Sequence, residues 1–154
     1  MSRPTSLAAS ALPKAAHRVE FRIRFGDCDP AGIVFFPNFF AMGNAAMEEL
    51  FTEGLGIDFH ALHAARRIGT GFVHAEADFF RPALMGDRVV FTPLITRIGG
   101  GSYAITTHVH RGEDELLRLH LVTATTNLDA MRAVPIPEDL RAALAGYQER
   151  CAHG

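Results

Sequence analysis

The chain has 154 residues, 48% of them hydrophobic and 21% charged, with a formal net charge of -2. That length supplies the core of one compact domain, and the charge leaves no basic field to neutralise nucleic-acid phosphates. No run approaches the roughly 18 apolar residues that span a bilayer. Two cysteines, Cys28 and Cys151, make no disulfide framework, so a cytoplasmic protein is expected.

Residues 1–16 are rich in Ala, Ser and Pro, and Pro4, Ser6, Ser10 and Pro13 interrupt any continuous apolar stretch. They read as a disordered leader, followed by a single domain over residues 17–150. In residues 18–25, Val19, Phe21, Ile23 and Phe25 alternate with Arg18, Glu20, Arg22 and Arg24, the period of a strand with one buried face. Turn formers follow from Gly26 to Gly32. After Pro37 the period becomes helical: Phe39, Met42, Gly43, Ala46, Met47 and Leu50 form one stripe, and Phe40 and Phe51 lie on the other side. A helix over residues 37–53 is predicted, ending near Gly54 or Gly56 and wrapped on most sides, with a short second helix over residues 59–66.

Four more strands are predicted. Residues 73–79 alternate; residues 88–98 hold Pro93, which calls for a bulge or an edge. The triplet Gly99, Gly100 and Gly101 turns the chain into a strand starting near Tyr103, and Arg111 to Asp114 turns it into one running from Leu117 to Thr125. Pro137, Glu138 and Asp139 open a C-terminal helix. This order gives an α+β protein in which an antiparallel five-stranded sheet wraps the long helix. Its uncovered sheet edge and helix flank predict pairing with a second copy.

The chemistry concentrates in the loop from Gly26 to Pro37. Asp27 and Asp29 stand two apart at a strand end, and Pro30 and Gly32 shape the backbone just before a helix start. Taken alone, two such acids cap turns. The segment Gly26-Asp27-Cys28-Asp29-Pro30-Ala31-Gly32-Ile33-Val34, followed by Phe35-Phe36-Pro37-Asn38, closely resembles the active-site segment of the 4-hydroxybenzoyl-CoA thioesterases, hotdog-fold proteins. The resemblance runs nearly residue for residue from Phe25 to Asn38, and the strand order matches a hotdog across residues 17–147.

The resemblance implies a hotdog fold and hydrolysis of an aromatic acyl-CoA, of the 4-hydroxybenzoyl or benzoyl type. Asp29 would be the catalytic carboxylate, as nucleophile or general base, and backbone N–H groups around Phe36 would polarise the thioester carbonyl. Gly32, Phe35 and Asn44 would contact substrate; Glu48, one turn from Asn44 on the same helix face by its spacing, would join them there and assist a water molecule. The active unit would be a homodimer, commonly assembled further into a tetramer, with sites at subunit interfaces. No cofactor is implied, because coenzyme A is part of the substrate. The physics agrees: orphan N–H groups at a helix N-terminus face the charge that gathers on an attacked carbonyl, and a thiolate leaves without a strong acid.

Two positions depart from the family. Where relatives with a hydroxylated substrate carry an Asp on the central helix, this chain has Asn44, an amide without charge. Where relatives carry a basic cluster for coenzyme A, it has Gly99, Gly100 and Gly101, leaving Arg97, Arg111 or Arg118 to meet the phosphates. Cys28 has no histidine in the loop to activate it and reads as a small buried thiol. His108 and His110 share a strand face with His120 nearby, but no acid or Cys accompanies them at fixed spacing, so no metal site is expected. The alternatives are a thioesterase for aliphatic acyl-CoA or acyl carrier protein substrates, a hotdog dehydratase, and a non-catalytic acyl-CoA-binding module.

Overall fold

The computed structural model describes residues 2–153. Strand β1 (Val19–Arg22) leads to helix α1 (Pro37–Glu49), which continues through a wider π-helical turn over Leu50–Leu55 and stops at Gly56. Gly56 takes φ 70°, the left-handed conformation that glycine adopts without strain at a helix end. Helix α2 (Phe59–Ala64) is capped by the Asp58 carboxylate, which accepts the Ala61 N–H at 2.9 Å. Strands β2 (Ile68–Phe79), β3 (Arg88–Ile98), β4 (Ser102–Arg111) and β5 (Asp114–Asn127) follow, then a short β6 (Arg132–Ala133) and helix α3 (Glu138–His153). The strands lie antiparallel in the order β1-β3-β4-β5-β2, with β6 beside β5. This is the hotdog arrangement, a curled sheet around one long helix.

The helix sits against the sheet on one continuous apolar face. Phe39, Gly43, Ala46, Met47, Leu50 and Phe51 are buried against Val89 and Phe91 of β3, Tyr103 and Ile105 of β4, and Leu117, Leu119 and Leu121 of β5. A Cβ at Gly43 would stand 2.7 Å from Leu119 Cδ1, so any larger residue there would force the Leu119 side chain to shift in the packed core. Phe51, placed by the periodicity on the far side, is fully buried: Phe59 of α2 meets it edge-on at 5.4 Å and Tyr103 lies 6.3 Å away. Helix α3 closes the other end of the core with Leu140, Leu144 and Tyr147. The Tyr147 hydroxyl donates to Pro93 O at 2.6 Å and accepts the His17 N–H at 2.8 Å.

Two elements differ from the sequence reading. β1 ends at Arg22, because Phe25–Asp27 coils into a 3-10 turn that takes the chain out of the sheet. β2 begins at Ile68, well before Val73, since Gly69 and Gly71 hide the alternation; a bulge between Phe72 and His74 leaves Val73 66% exposed. Pro93 has the edge position expected of it: it lies past Phe91, where the pairing of β3 with the first residue of β1, Val19, stops.

The segment expected to be a structureless leader also has a definite place. It forms a 3-10 turn at Ala9–Ala11 and buries Leu12 and Ala16. The cause is Glu115, whose side chain is wholly buried at the base of the β4–β5 hairpin. Its carboxylate accepts from Arg118 at 2.7 and 2.9 Å and contacts His108 Nδ1 at 2.7 Å; the Leu7 N–H supplies a further donor at 2.7 Å. Thr5 O accepts from Arg118 at 3.0 Å, and Leu7 O meets His110 Nε2 at 2.8 Å. A buried carboxylate needs this many donors, and backbone from the N-terminal segment provides one of them.

Burial alone would raise the Glu115 carboxyl, but Arg118, the Leu7 N–H and His108 outweigh it and bring the pKa down to about 2. Burial holds the His108 imidazole below its usual value, against the pull of Glu115. Both groups bind protons more weakly folded than unfolded. The stability Glu115 contributes is therefore complete above its ordinary value of 4.5 and is lost as pH falls toward 2; His108 acts in the same direction below 6.5. Urea unfolding across pH 7 to 2 is expected to show a steep loss below pH 4.5 in the native chain. Glu115→Gln should be less stable at pH 7 and visibly flatter over the acid limb; an unchanged slope would remove Glu115 from this role.

Candidate active site

The loop between β1 and α1 is held at both ends by one residue. The Asp27 carboxylate accepts the Arg24 N–H at 2.8 Å, closing the turn that ends β1. The Asp27 carbonyl accepts the Phe35 N–H at 2.9 Å and the Asn38 side-chain amide at 2.8 Å, fastening that turn to the start of α1. Asp27 is thus spent on shape.

Asp29 lies inside this clamp. Its N–H donates to Ile33 O at 2.9 Å and its carbonyl accepts the Gly32 N–H at 2.9 Å. Gly32 makes the tight return with φ 81°, a conformation that disfavours any side chain. One carboxylate oxygen, Oδ1, accepts the Ala31 N–H at 2.9 Å. Oδ2 has no hydrogen-bond partner among the described residues. Asp29 lines a pocket of about 390 Å³ together with Phe25, Cys28, Pro30, Gly32 and Met85. Phe25 and Met85 are 84% and 56% exposed, apolar surface of the kind that marks a binding site.

The start of α1 offers one free donor. Phe35 N–H is taken by Asp27, Asn38 and Phe39 N–H turn back to the carbonyls of Phe35 and Phe36, and Pro37 has none. Phe36 N–H has no acceptor among the described residues, and it sits where the helix dipole adds favourable potential for negative charge. Next to it opens a pocket of about 310 Å³ lined by Ile33, Phe36, Phe39, Phe79, Phe80 and Arg81, among others. Val34 N–H donates to Ala83 O at 3.0 Å and Ile33 bridges to Leu84, so the β2–β3 connection forms the far wall. That wall escaped sequence reasoning; only tertiary pairing brings residues 79–85 beside residues 25–36.

The structure brings some expected site residues together and leaves others apart. Asp29 and Gly32 share one pocket, and Phe36 lines the adjacent one. Phe35 is half exposed and stacks edge-on against Phe36 at 5.7 Å. Asn44 is exposed on α1, and Glu48 lies further along it, 3.2 Å from His60 Nε2; within one protomer neither lines the two pockets. Burial and the neighbouring Asp27 and Asp29 raise the Cys28 thiol, which disfavours a thiolate. Arg111 pairs with Asp87 at 2.6 Å and Arg118 with Glu115, whereas Arg97 reaches only Ser102 Oγ at 3.2 Å. His108, His110 and His120 serve separate partners: Glu115, Leu7 O and Asp78.

A carboxylate with one free oxygen, in the loop that leads to an unpaired helix N-terminal N–H and flanked by apolar pockets, is the equipment for acyl transfer. Residues 23–144 match the thioesterase-like superfamily, and the chain belongs to that family. It is an acyl-CoA thioesterase of the hotdog type, a thioester hydrolase. A 1,4-dihydroxy-2-naphthoyl-CoA hydrolase of Synechococcus elongatus is 27% identical over 120 residues, 77% of this chain and 88% of that one. Another 1,4-dihydroxy-2-naphthoyl-CoA hydrolase, from Rippkaea orientalis, is 34% identical over 87 residues, 56% of this chain and 62% of its own length. The crystal structure of a mutant 4-hydroxybenzoyl CoA thioesterase complexed with 4-hydroxybenzoyl CoA superposes with a TM-score of 0.75 at 27% identity, covering 89% of this chain and 99% of that one.

The clamp at Asn38 has a measurable consequence. Asn38→Ala removes one hydrogen bond between the loop and α1, worth about 1 kcal/mol of stability. Its effect on thioester hydrolysis should be larger, about tenfold or more in kcat, because the bond fixes the spacing of carboxylate and helix N–H. Steady-state kinetics beside urea unfolding checks this; a kcat within about twofold of the native value would contradict it.

Proposed function

We propose that the protein hydrolyses an aromatic acyl-CoA to the free acid and coenzyme A, with Asp29 as nucleophile. The observation that carries the reading is the division of the Asp29 carboxylate: Ala31 N–H holds Oδ1, Oδ2 has no hydrogen-bond partner among the described residues, and the residue lines a largely apolar pocket in the loop that leads to the Phe36 N–H. Oδ2 attacks the thioester carbonyl, whose oxygen gathers charge against the Phe36 N–H. The tetrahedral intermediate expels the coenzyme A thiolate and leaves a mixed anhydride between Asp29 and the acyl group. Water then cleaves the anhydride, releasing the acid and restoring the carboxylate. The aromatic character of the acyl group is supported by the phenylalanines of the neighbouring pocket and by the aromatic acyl groups named for the relatives. A hydroxylated ring of the hydroxybenzoyl or dihydroxynaphthoyl kind is the substrate class we favour over aliphatic acyl groups.

The working unit on this reading is a dimer. The 12-residue strand β2 ends the sheet with its outer edge unpaired, and Val73, His74, Ala75 and Glu76 are exposed along it. Edges of this length are normally covered, and a second β2 lying antiparallel is the simplest cover. Asn44 and Glu48, remote from Asp29 within a protomer, would then reach a site across the interface. Light scattering should give a dimer or a pair of dimers; a monomer at micromolar concentration would exclude it. No helix among the described residues is long and apolar enough to cross a membrane, and both cysteines are free, which supports a cytoplasmic location.

Asp29→Asn keeps an oxygen for the Ala31 N–H and removes the nucleophile. It should lower kcat by a factor of about 100 or more, with acyl-CoA binding and the unfolding midpoint near native values. A variant retaining full turnover would end the proposal.

A further inference from the structure

Most guanidinium groups around the pocket beside Phe36 are already engaged. Arg3 and Arg118 flank the Phe80 ring at 5.7 and 5.5 Å, but Arg3 donates to Phe79 O at 2.8 Å and Arg118 is held by Glu115. Arg111, on the adjoining hairpin, pairs with Asp87. Arg81 differs. Its backbone N–H donates to Leu116 O at 3.0 Å, while its exposed guanidinium has no acceptor among the described residues. It is also the one charged residue lining the pocket of about 310 Å³; the other lining residues are all apolar.

A guanidinium carries five donors and no acceptor, so its complement is an oxygen that accepts. At the edge of an apolar pocket, where competing water is reduced, such a contact discriminates strongly between ligands that carry the oxygen and ligands that lack it. The substrate has oxygens of this kind in two places, on the acyl group and on the phosphates of coenzyme A. The phosphates stand a whole pantetheine arm from the sulfur. Phe36, whose N–H would meet the thioester, and Arg81 line the same pocket, which has room for a ring and not for the arm as well.

We infer that Arg81 holds an acceptor oxygen, a hydroxyl or a carboxylate, carried by the aromatic ring of the acyl group, and that it thereby selects substituted over unsubstituted rings. The inference rests on the acyl-CoA thioesterase reading and adds to it a specificity residue outside the loop that carries Asp29. It also gives the uncharged Asn44 a counterpart: the ring oxygen is met by a cation from the β2–β3 connection.

The test compares benzoyl-CoA with its 2-, 3- and 4-hydroxy and carboxy derivatives, together with the matching pantetheine thioesters, which lack phosphates. Each is assayed with the native chain, Arg81→Gln and Arg81→Lys. For the best substituted substrate, Arg81→Gln should lower kcat/KM about tenfold or more, with Arg81→Lys in between, while benzoyl-CoA changes by less than about threefold. The same ratios should appear with the pantetheine thioesters. Because Arg81 is exposed, the variants should unfold at the native midpoint. A loss equal for every acyl group that disappears with the pantetheine thioesters would assign Arg81 to coenzyme A and overturn the inference. No loss with any substrate would overturn it too. If the native chain hydrolyses substituted and unsubstituted rings and only these ratios fail, the thioesterase reading stands; if it releases thiol from none of them, that reading falls as well.

Discussion

Helix α1 packs on the sheet with Gly43 against Leu119 of β5, where an added Cβ would stand 2.7 Å from Leu119 Cδ1. Around that contact the helix buries a continuous face from Phe39 to Phe51, and one curled sheet wraps it. A helix held this tightly has an N-terminus fixed in space. The Asp27 carbonyl then ties the preceding loop to that N-terminus through Phe35 and Asn38. The positions of the Asp29 carboxylate and the Phe36 N–H are both consequences of this packing, which is why so little of the site needs dedicated scaffolding.

The loop divides labour between two carboxylates of identical chemistry. Asp27 gives its side chain to a turn and its carbonyl to the helix start, while Asp29 keeps one oxygen unengaged. The difference comes from Pro30 and Gly32, which turn the backbone so that the Ala31 N–H falls on Oδ1. On the mechanism proposed, no third residue is needed. The leaving thiolate is stable without a proton, and the helix N-terminus supplies the electrophilic pull.

Much of this was legible in the sequence because the signals were local. Alternation from Val19, the stripe from Phe39 to Leu50 and the run from Phe25 to Asn38 each depend on residues close together in the chain. What stayed hidden depended on partners far away. The glycines at 69 and 71 blurred the first half of β2, whose pairing with β5 nonetheless reaches Ile68. The Ala, Ser and Pro of the N-terminal segment looked structureless, because its order comes from backbone groups that serve Glu115, over a hundred positions on. Phe79, Phe80, Arg81 and Met85 joined the site by tertiary pairing of two loops, which no periodicity reports. Asn44 and Glu48 face outward on α1, consistent with a role that a single protomer does not complete.

The most direct measurement of the central claim is thiol release by the native chain from a panel of acyl-CoA thioesters, ranked by kcat/KM. The account predicts that ring-hydroxylated aromatic acyl-CoAs head the ranking, at about 10⁴ M⁻¹s⁻¹ or higher, above aliphatic acyl groups of equal size. Preference for aliphatic chains would contradict the assignment of the acyl group, and no thiol release from any member would contradict the account as a whole.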